Sequence, residues 1–444
     1  MQKKVAIAGA GLVGSLLSIY LVRRGYDVNV FEGRSDMRKD NAAAGRSINL
    51  ALSDRGIRAL EQVGIMDAIR EIAIPMHGRY MHNTDGSSAY QPYGMEGQFI
   101  NSVSRGELNK KLMSLAEDAG AKIIFEKKLD QINWEEKELN FSDHTKFSSD
   151  LIFGADGAYA ASRLQHQLHH NRFQYHQYYI DYGYKELSIP AGPNNSFLLD
   201  KNALHIWPRG NYMMIALPNI DGSFTCTLFF PFLGNPSFES LNTTEAVDNF
   251  FKENFSDAYS LMPTLVNDFK KNPTSSLVTV KCYPWIRDDY FALIGDAAHA
   301  MVPFFGQGMN CGFEDCVVLN ELIDTFKEDW KEILPAYQHL RKPDGDAICD
   351  MALTNFIEMR DKVADPKFLL QKKIENAFTK KHPDKWRPAY SLVTFSPDVR
   401  YSDALKQGVA QESIMEKIMA IENINKKWDS KEIEDFMQKM ISIK

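Results

Sequence analysis

Cysteine is scarce in this chain, and so are the features that would tie it to a membrane, a nucleic acid or a metal. Its five cysteines, Cys226, Cys282, Cys311, Cys316 and Cys349, are scattered and form no CxxC pair. An odd number of isolated thiols argues against a disulfide framework and a zinc knuckle, and points to reduced cysteines in a cytoplasm. No stretch approaches the ~20 consecutive apolar residues that span a bilayer. The apolar run Val5 to Ala10 is too short for a secretory signal and is broken at once by glycine, so a soluble cytoplasmic protein is the expectation. Positive charge is not in excess: 51 Lys and Arg face 58 Asp and Glu, for a formal net charge of −7. That leaves no basic face from which phosphate counterions would be released, and a nucleic-acid partner is not expected. Repeats and low-complexity linkers are missing as well. The adjacent His169 and His170 have no further ligands at metal spacing, so they read as surface residues and no metal site is expected.

What is present suits a large interior. With 444 residues, 44% of them hydrophobic, the chain has length for two or three structural units and room for a large cofactor. Val5 to Ala8 reads as a short buried parallel strand, Leu12 to Arg24 as a helix and Val28 to Glu32 as a second strand, which together make a βαβ unit. Residues 45–74 are expected to be mainly helical, with Ile57, Leu60, Val63, Ile65 and Ile69 at three-to-four spacing. Strands and loops follow over 76–103, then a helix from Arg105 to a glycine stop at Gly120. Lys122 to Phe125 and Leu151 to Phe153 return to the first sheet. Tyr178–Leu187, Ala203–Trp207, Tyr212–Leu217, Phe224–Phe230 and Val278–Tyr283 predict a second, antiparallel sheet. From Gly308 onward the chain reads as mostly helical. Its Lys-rich tail after Gln407 reads as a solvated amphipathic helix.

Three glycine motifs carry the chemistry. In Gly9-Ala-Gly11-Leu-Val-Gly14, between strand and helix, Gly9 permits the tight turn, Gly11 lets the backbone approach a pyrophosphate, and Gly14 lets helix and strand pack closely. Glu32, at the end of the second strand, is placed to hold ribose hydroxyls. The second motif, Gly154-Ala-Asp156-Gly157, follows a strand and by itself is equally a plain turn. The third, Gly295-Asp296-Ala-Ala-His299, runs on to Pro303-Phe-Phe-Gly-Gln-Gly308-Met309-Asn310. Here Asp296 is placed to accept from a ribitol hydroxyl, and the amides of Gly308, Met309 and Asn310 open a helix whose dipole favours negative charge, such as that of a reduced flavin. His299 reads as structural or flavin-side, and Cys311 and Cys316 as internal packing.

This ordered set resembles the class A flavoprotein hydroxylases. The resemblance implies an α/β fold with one FAD in a discontinuous Rossmann-type domain, an antiparallel-sheet substrate domain and a C-terminal helical region. The implied partition is 1–75, 101–178 and 285–340 for FAD, 76–100 and 179–284 for substrate, and 341–444 for the helices. No second dinucleotide fingerprint is present, as in that family, whose members bind NADPH only transiently. Arg46 and Arg105 fall where such enzymes place flavin-contacting cations, and with all three motifs in order Asp156 counts among the expected cofactor-binding residues.

Further segments resemble the kynurenine 3-monooxygenase family, among them Gly45-Arg-Ser-Ile-Asn-Leu-Ala-Leu52, Gln91-Pro-Tyr-Gly94, Leu204-His-Ile-Trp-Pro208 and Tyr390-Ser-Leu-Val-Thr-Phe395. The resemblance implies hydroxylation of L-kynurenine with NADPH and O2, and redox chemistry borne by the flavin, so no catalytic acid or base is named. It also implies that Arg79, Tyr93, Asn355 and Tyr390 hold the amino-acid end of the substrate, while Phe229, Phe304 and Phe305 line an apolar wall beside its ring. Two other readings remain open at this point: a flavin hydroxylase of another aromatic acid, and a flavin-binding sensor without turnover. Oligomeric state is not legible.

Overall fold

Val5, Ala6, Ile7 and Ala8 are almost wholly buried, as a strand flanked by parallel neighbours and covered on both faces must be. In the computed structural model, which describes residues 2–39, 48–358 and 365–442, this strand, Lys4–Ala8, is central to a six-stranded sheet. Its neighbours in order are Ile286–Arg287, Phe291–Leu293, Leu151–Gly154, then Lys4–Ala8 itself, Asp27–Phe31 and Lys122–Ile124. All pairs are parallel except the edge pair Ile286–Arg287 with Phe291–Leu293. The sheet is therefore assembled from distant parts of the chain. The helix Leu12–Arg23 follows its central strand, and the helices Arg105–Ala119 and Gly308–Thr325 pack against that first helix. Gly120 ends its helix in the left-handed region at φ 110°, a conformation that suits glycine.

A seven-stranded sheet forms the second layer, in the order Thr274–Tyr283, Gln174–Ile189, Phe224–Pro231, Met213–Pro218, Ala203–Pro208, Gly78–His82 and Ser88–Pro92. Every pair is antiparallel except Ala203–Pro208 with Gly78–His82, which departs from the all-antiparallel expectation. Period-two alternation splits the faces of its strands. Met214, Ala216, Leu228 and Phe230 point to a core closed by Phe250, Phe251 and Phe269 of the helices Thr244–Asn254 and Leu265–Lys271. Met213, Ile215, Leu217, Thr227 and Phe229 point the other way, into a cavity.

Two sequence expectations need correction, and one small sheet went unread. The stretch read as mainly helical contains two strands, Asn49–Leu52 and Ala73–Met76, which flank Ile100–Ser104 in a three-stranded sheet. The helical spacing belongs only to Asp54–Gln62 and Met66–Arg70 between them. A second small sheet, built from Leu129–Asn133, Glu138–Phe141 and Lys146–Ser148, gave no separate signal. The tail is also not one solvated helix. Ile414, Met415 and Ile418 of Tyr401–Met419, with Ile433 and Met437 of Lys431–Ser442, close on Ile374, Phe378 and Trp386 as a small helical core. Among the described residues no helix is long and apolar enough to cross a membrane.

Candidate flavin and substrate site

The turn after the central strand admits only glycine at two positions. Gly9 sits at φ +100°, and a Cβ there would lie 2.6 Å from the carbonyl oxygen of Ala155; a Cβ on Gly14 would lie 2.0 Å from the carbonyl oxygen of Gly9. Strand, turn and helix are thus pressed together as a dinucleotide cradle requires. The Ala10 amide donates to Glu32 Oε2 at 3.0 Å, and Arg34 donates to Oε1 through its amide at 3.0 Å and Nε at 2.8 Å. Burial would raise the Glu32 pKa, but these donors, Arg34 foremost, hold it below the ordinary value. Glu32 therefore stays an anion beside the glycine turn.

From this turn a cavity of about 290 Å³ runs between the two large sheets. Gly11, Leu12, Val13, Ala155, Gly157, Ile294 and Asp296 line it on the first-sheet side, with Arg105 and the segment Gly306 to Met309. Gly306 turns the chain at φ 66° into the helix Gly308–Thr325, whose first amides have no intrahelical acceptor. These amides and the helix dipole make the helix head a place for negative charge. The cradle without side chains, the buried carboxylate at its rim and this donor-rich helix head fit a flavin dinucleotide.

Two of the expected cofactor residues have side chains held by the protein itself. Asp156 does not line the cavity; its carboxylate accepts from the Ser162 amide at 2.9 Å and from the Ser162 hydroxyl at 2.5 Å, at the start of the helix Ala161–Leu168. The Asn310 side chain is also taken up by the protein. Its Nδ2 donates to the carbonyls of Ala51 and Gly306, both at 2.8 Å, and its Oδ1 accepts from the Ser53 amide at 3.0 Å, so it braces the loop. Arg46 lies outside the described residues.

The far end of the cavity is where the sequence-predicted substrate residues meet. Arg79 reaches it from Gly78–His82, and its guanidinium stands 5.1 Å from the Tyr93 ring centre and 4.4 Å from that of Tyr390. The two tyrosine rings stack at 6.0 Å. Arg79 Nε and the Tyr93 hydroxyl are buried without hydrogen-bond partners, and Arg79 has no carboxylate partner among the described residues. Burial works against its charge, and the phenols of Tyr390 and Tyr93 beside it carry no charge to neutralise it. Tyr93 itself lies behind the lining, whereas Arg79, Tyr390 and Asn355 are in it. Asn355 Nδ2 donates to the Phe304 carbonyl at 2.7 Å. Phe229 and Phe304 meet at 4.8 Å between centroids and form one apolar wall, while Phe305 stacks on Tyr390 at 5.6 Å.

Sequence reasoning missed Gln307 at the helix head and the apolar lining from the second sheet, Ile206, Met213 and Ile215. The alternation in Ala203–Pro208 and Met213–Pro218 was the available signal, since it separates cavity-facing from core-facing positions. His299 lies under the helix head, sealed off, with Nε2 2.6 Å from Asp315 Oδ2. Asp315 outweighs burial and raises the His299 pKa above the ordinary value. His299, Cys311 and Asp315 are grouped closely enough for a metal. However, Arg341 already binds Asp315 at 2.7 Å and lies 3.4 Å from Cys311 Sγ, so a second cation would meet a guanidinium.

A family model described as FAD binding domain matches residues 2–352. A kynurenine 3-monooxygenase of Flavobacterium johnsoniae is 52% identical over 97% of this chain and 97% of its own length. One from Christiangramia forsetii is 51% identical over 100% and 99%. Among solved structures, 2-methyl-3-hydroxypyridine-5-carboxylic acid oxygenase superposes with a TM-score of 0.69 at 19% identity, over 82% of this chain and 94% of that one, which establishes the shared fold.

Proposed function

The chain belongs to the kynurenine 3-monooxygenase family and carries its FAD-binding domain, and on that premise we propose that it hydroxylates L-kynurenine at ring position 3, with NADPH and O2 as co-substrates. The observation that carries the substrate end is Arg79: a guanidinium at the end of an apolar cavity, with no carboxylate partner among the described residues.

Bound FAD would supply the redox chemistry: two electrons from NADPH reduce O2, of which one atom enters the substrate and the other leaves as water. The Gly9–Gly14 turn would hold its pyrophosphate, Glu32 a ribose, Asp296 the ribitol, and Arg105 the flavin side of the cavity mouth. The amides of Gly308 and Met309 would hold negative charge at the flavin's pyrimidine edge. Arg79 clamps the substrate carboxylate in a forked, charge-assisted pair. Tyr93, Tyr390 and Asn355 complete the polar end. Phe229 and Phe304 keep the aniline ring flat in its slot and exclude water. The ring needs no base to activate it, because its amino group already enriches the neighbouring carbon in electrons. In this reading residues 1–75, 101–178 and 285–340 hold the cofactor, 76–100 and 179–284 face the substrate, and 341–444 close the site. The five cysteines, all unpaired and buried, suit work in a reducing cytoplasm.

The test is mass analysis of the product from L-kynurenine, NADPH and air with the purified yellow protein. The expected product carries one added oxygen at ring position 3. Unaltered kynurenine, with NADPH consumed equally in its presence and absence, would overturn the reading.

A further inference from the structure

Arg55, which sequence reasoning did not single out, is buried to 1% exposure. It sits on the helix Asp54–Gln62, just beyond the strand Asn49–Leu52 whose residues line the cavity. Its Nε donates to the carbonyl of Val393 at 2.7 Å, and its Nη2 donates to those of Leu392 at 3.3 Å, Ser396 at 3.2 Å and Val399. Nη1 pairs with Glu314 on the helix Gly308–Thr325. The guanidinium also lies 4.0 Å from the centre of the Tyr401 ring, whose hydroxyl donates to Gln307 Oε1 at 2.9 Å.

The carbonyl acceptors belong to one short stretch. The helix Ala389–Thr394 carries Tyr390; the guanidinium collects two of its last carbonyls, Leu392 and Val393, which helix geometry leaves short of amide donors, and those of Ser396 and Val399 just beyond it. A planar fork reaches several carbonyls in fixed directions, whereas an ammonium on a flexible stem does not. An apolar side chain would fill the space without setting the register of the turn.

We propose that Arg55 is a positioning residue for substrate binding. Without touching substrate or flavin, it fixes the 389–399 turn, and so the place of Tyr390 against Arg79, to the helix behind the cofactor-lining strand. The proposal rests on the reading that Tyr390 meets the amino-acid end of the substrate.

The test is a double-mutant cycle in the FAD-loaded enzyme with Arg55→Lys, Tyr390→Phe and the pair, reading kynurenine KM, kcat and FAD occupancy. Arg55→Lys is expected to raise KM roughly 10-fold, the size of one displaced charge-assisted contact. FAD occupancy should be unchanged and kcat should move much less than KM. The double variant should be little worse than Arg55→Lys alone, because both changes act through the same hydroxyl. Amide exchange should rise over 389–399 and not in the six-stranded sheet. Additive effects on KM, an unchanged KM or uniform loosening of the fold would each overturn the proposal. Should Arg55→Lys not accumulate folded, Glu314→Gln enters the same cycle with the same expected and overturning results. Failure of the reaction reading shows separately, as wild-type enzyme that makes no hydroxylated product; the exchange measurement then decides the anchoring alone.

Discussion

The guanidinium of Arg79 stands 4.4 Å from the centre of the Tyr390 ring, so a strand of the second sheet and a short C-terminal helix meet at a single cation. Arg79 has no carboxylate to neutralise it among the described residues, and a buried cation without a partner is costly. A substrate carboxylate would remove that cost. Arg79→Ala is expected to raise the kynurenine KM by roughly 10- to 100-fold, about 1.5–3 kcal/mol for a lost charged hydrogen-bonded pair, while FAD remains bound. Steady-state kinetics with flavin content measured on the same samples decides this, and an unchanged KM refutes the clamp.

Gly14 tests the cofactor half independently of substrate. A Cβ there would meet the Gly9 carbonyl oxygen at 2.0 Å and the Ala155 Cβ at 3.3 Å, and neither a main-chain carbonyl nor a Cβ is the flexible end of a side chain that could yield. Gly14→Ala should cost about 1–3 kcal/mol in overpacking and yield protein that purifies with little flavin absorbance. A fully yellow variant of unchanged thermal stability would contradict the cradle.

The glycine turn and Arg79 were legible in the sequence for different reasons. At Gly9 and Gly14 a steric requirement leaves one residue type, so the motif is close to a structural statement. Arg79, Tyr93 and Tyr390 were legible only through resemblance, since nothing in their local pattern distinguishes them from surface or core residues. At Asp156 the sequence left two readings open, because an Asp-Gly turn looks alike whether the carboxylate faces a cofactor or is taken up by a neighbouring Ser162. Asn49–Leu52 and Ala73–Met76 were lost inside a helical reading because four-residue strands have too few positions to show a period, while Ile57, Leu60 and Val63 between them repeat clearly. In the tail, Ile414, Ile418 and Ile433 gave the amphipathic pattern correctly. That pattern does not say whether a partner such as Trp386 covers the apolar face. Arg55 had no signal, because most of its hydrogen-bond partners are backbone carbonyls, which leave no trace in residue identity, and Glu314 and Tyr401 are distant in the chain.

Stability should fall in mild acid. Burial lowers the His205 pKa to about 4 and, with help from His170 and Arg287, that of His166 to about 3, against 6.5 for an ordinary histidine. A base whose folded pKa lies below its unfolded one binds its proton more readily when unfolded. The stabilisation is therefore complete above pH about 6.5 and declines as pH drops toward 4 and then 3, by about 1.4 kcal/mol per pH unit for each histidine. Thermal melts between pH 7 and 4 check the slope. His166→Phe, placed among Trp134, Phe173 and Phe291, should flatten it, and a melting temperature independent of pH would refute the assignment.

Asp156 separates a cap from a cofactor ligand. Its carboxylate is engaged by Ser162, so Asp156→Ala removes a partner from the start of the helix Ala161–Leu168. The expected loss is about 1 kcal/mol of stability, with any loss of FAD affinity following from a shifted Gly157. Asp156→Asn keeps an acceptor in place and should restore most of the stability. Wild-type melting in Asp156→Ala, together with lost flavin, would instead make the carboxylate a direct ligand.

The Arg79 clamp also predicts how the enzyme chooses among substrates. A decarboxylated kynurenine keeps the aniline ring and its electron-rich carbon, so it fits the slot of Phe229 and Phe304, yet it brings no anion to the guanidinium and leaves the cation as exposed to burial as before. A site built around a charged contact rejects the analogue lacking it far more strongly than an apolar pocket rejects a missing methylene. Wild-type enzyme should therefore favour kynurenine over the analogue by about 100-fold or more in kcat/KM, and Arg79→Ala should shrink that preference to within about an order of magnitude by losing activity on kynurenine alone. Parallel loss on both substrates would mean that Arg79 supports the fold of the pocket instead of reading the carboxylate.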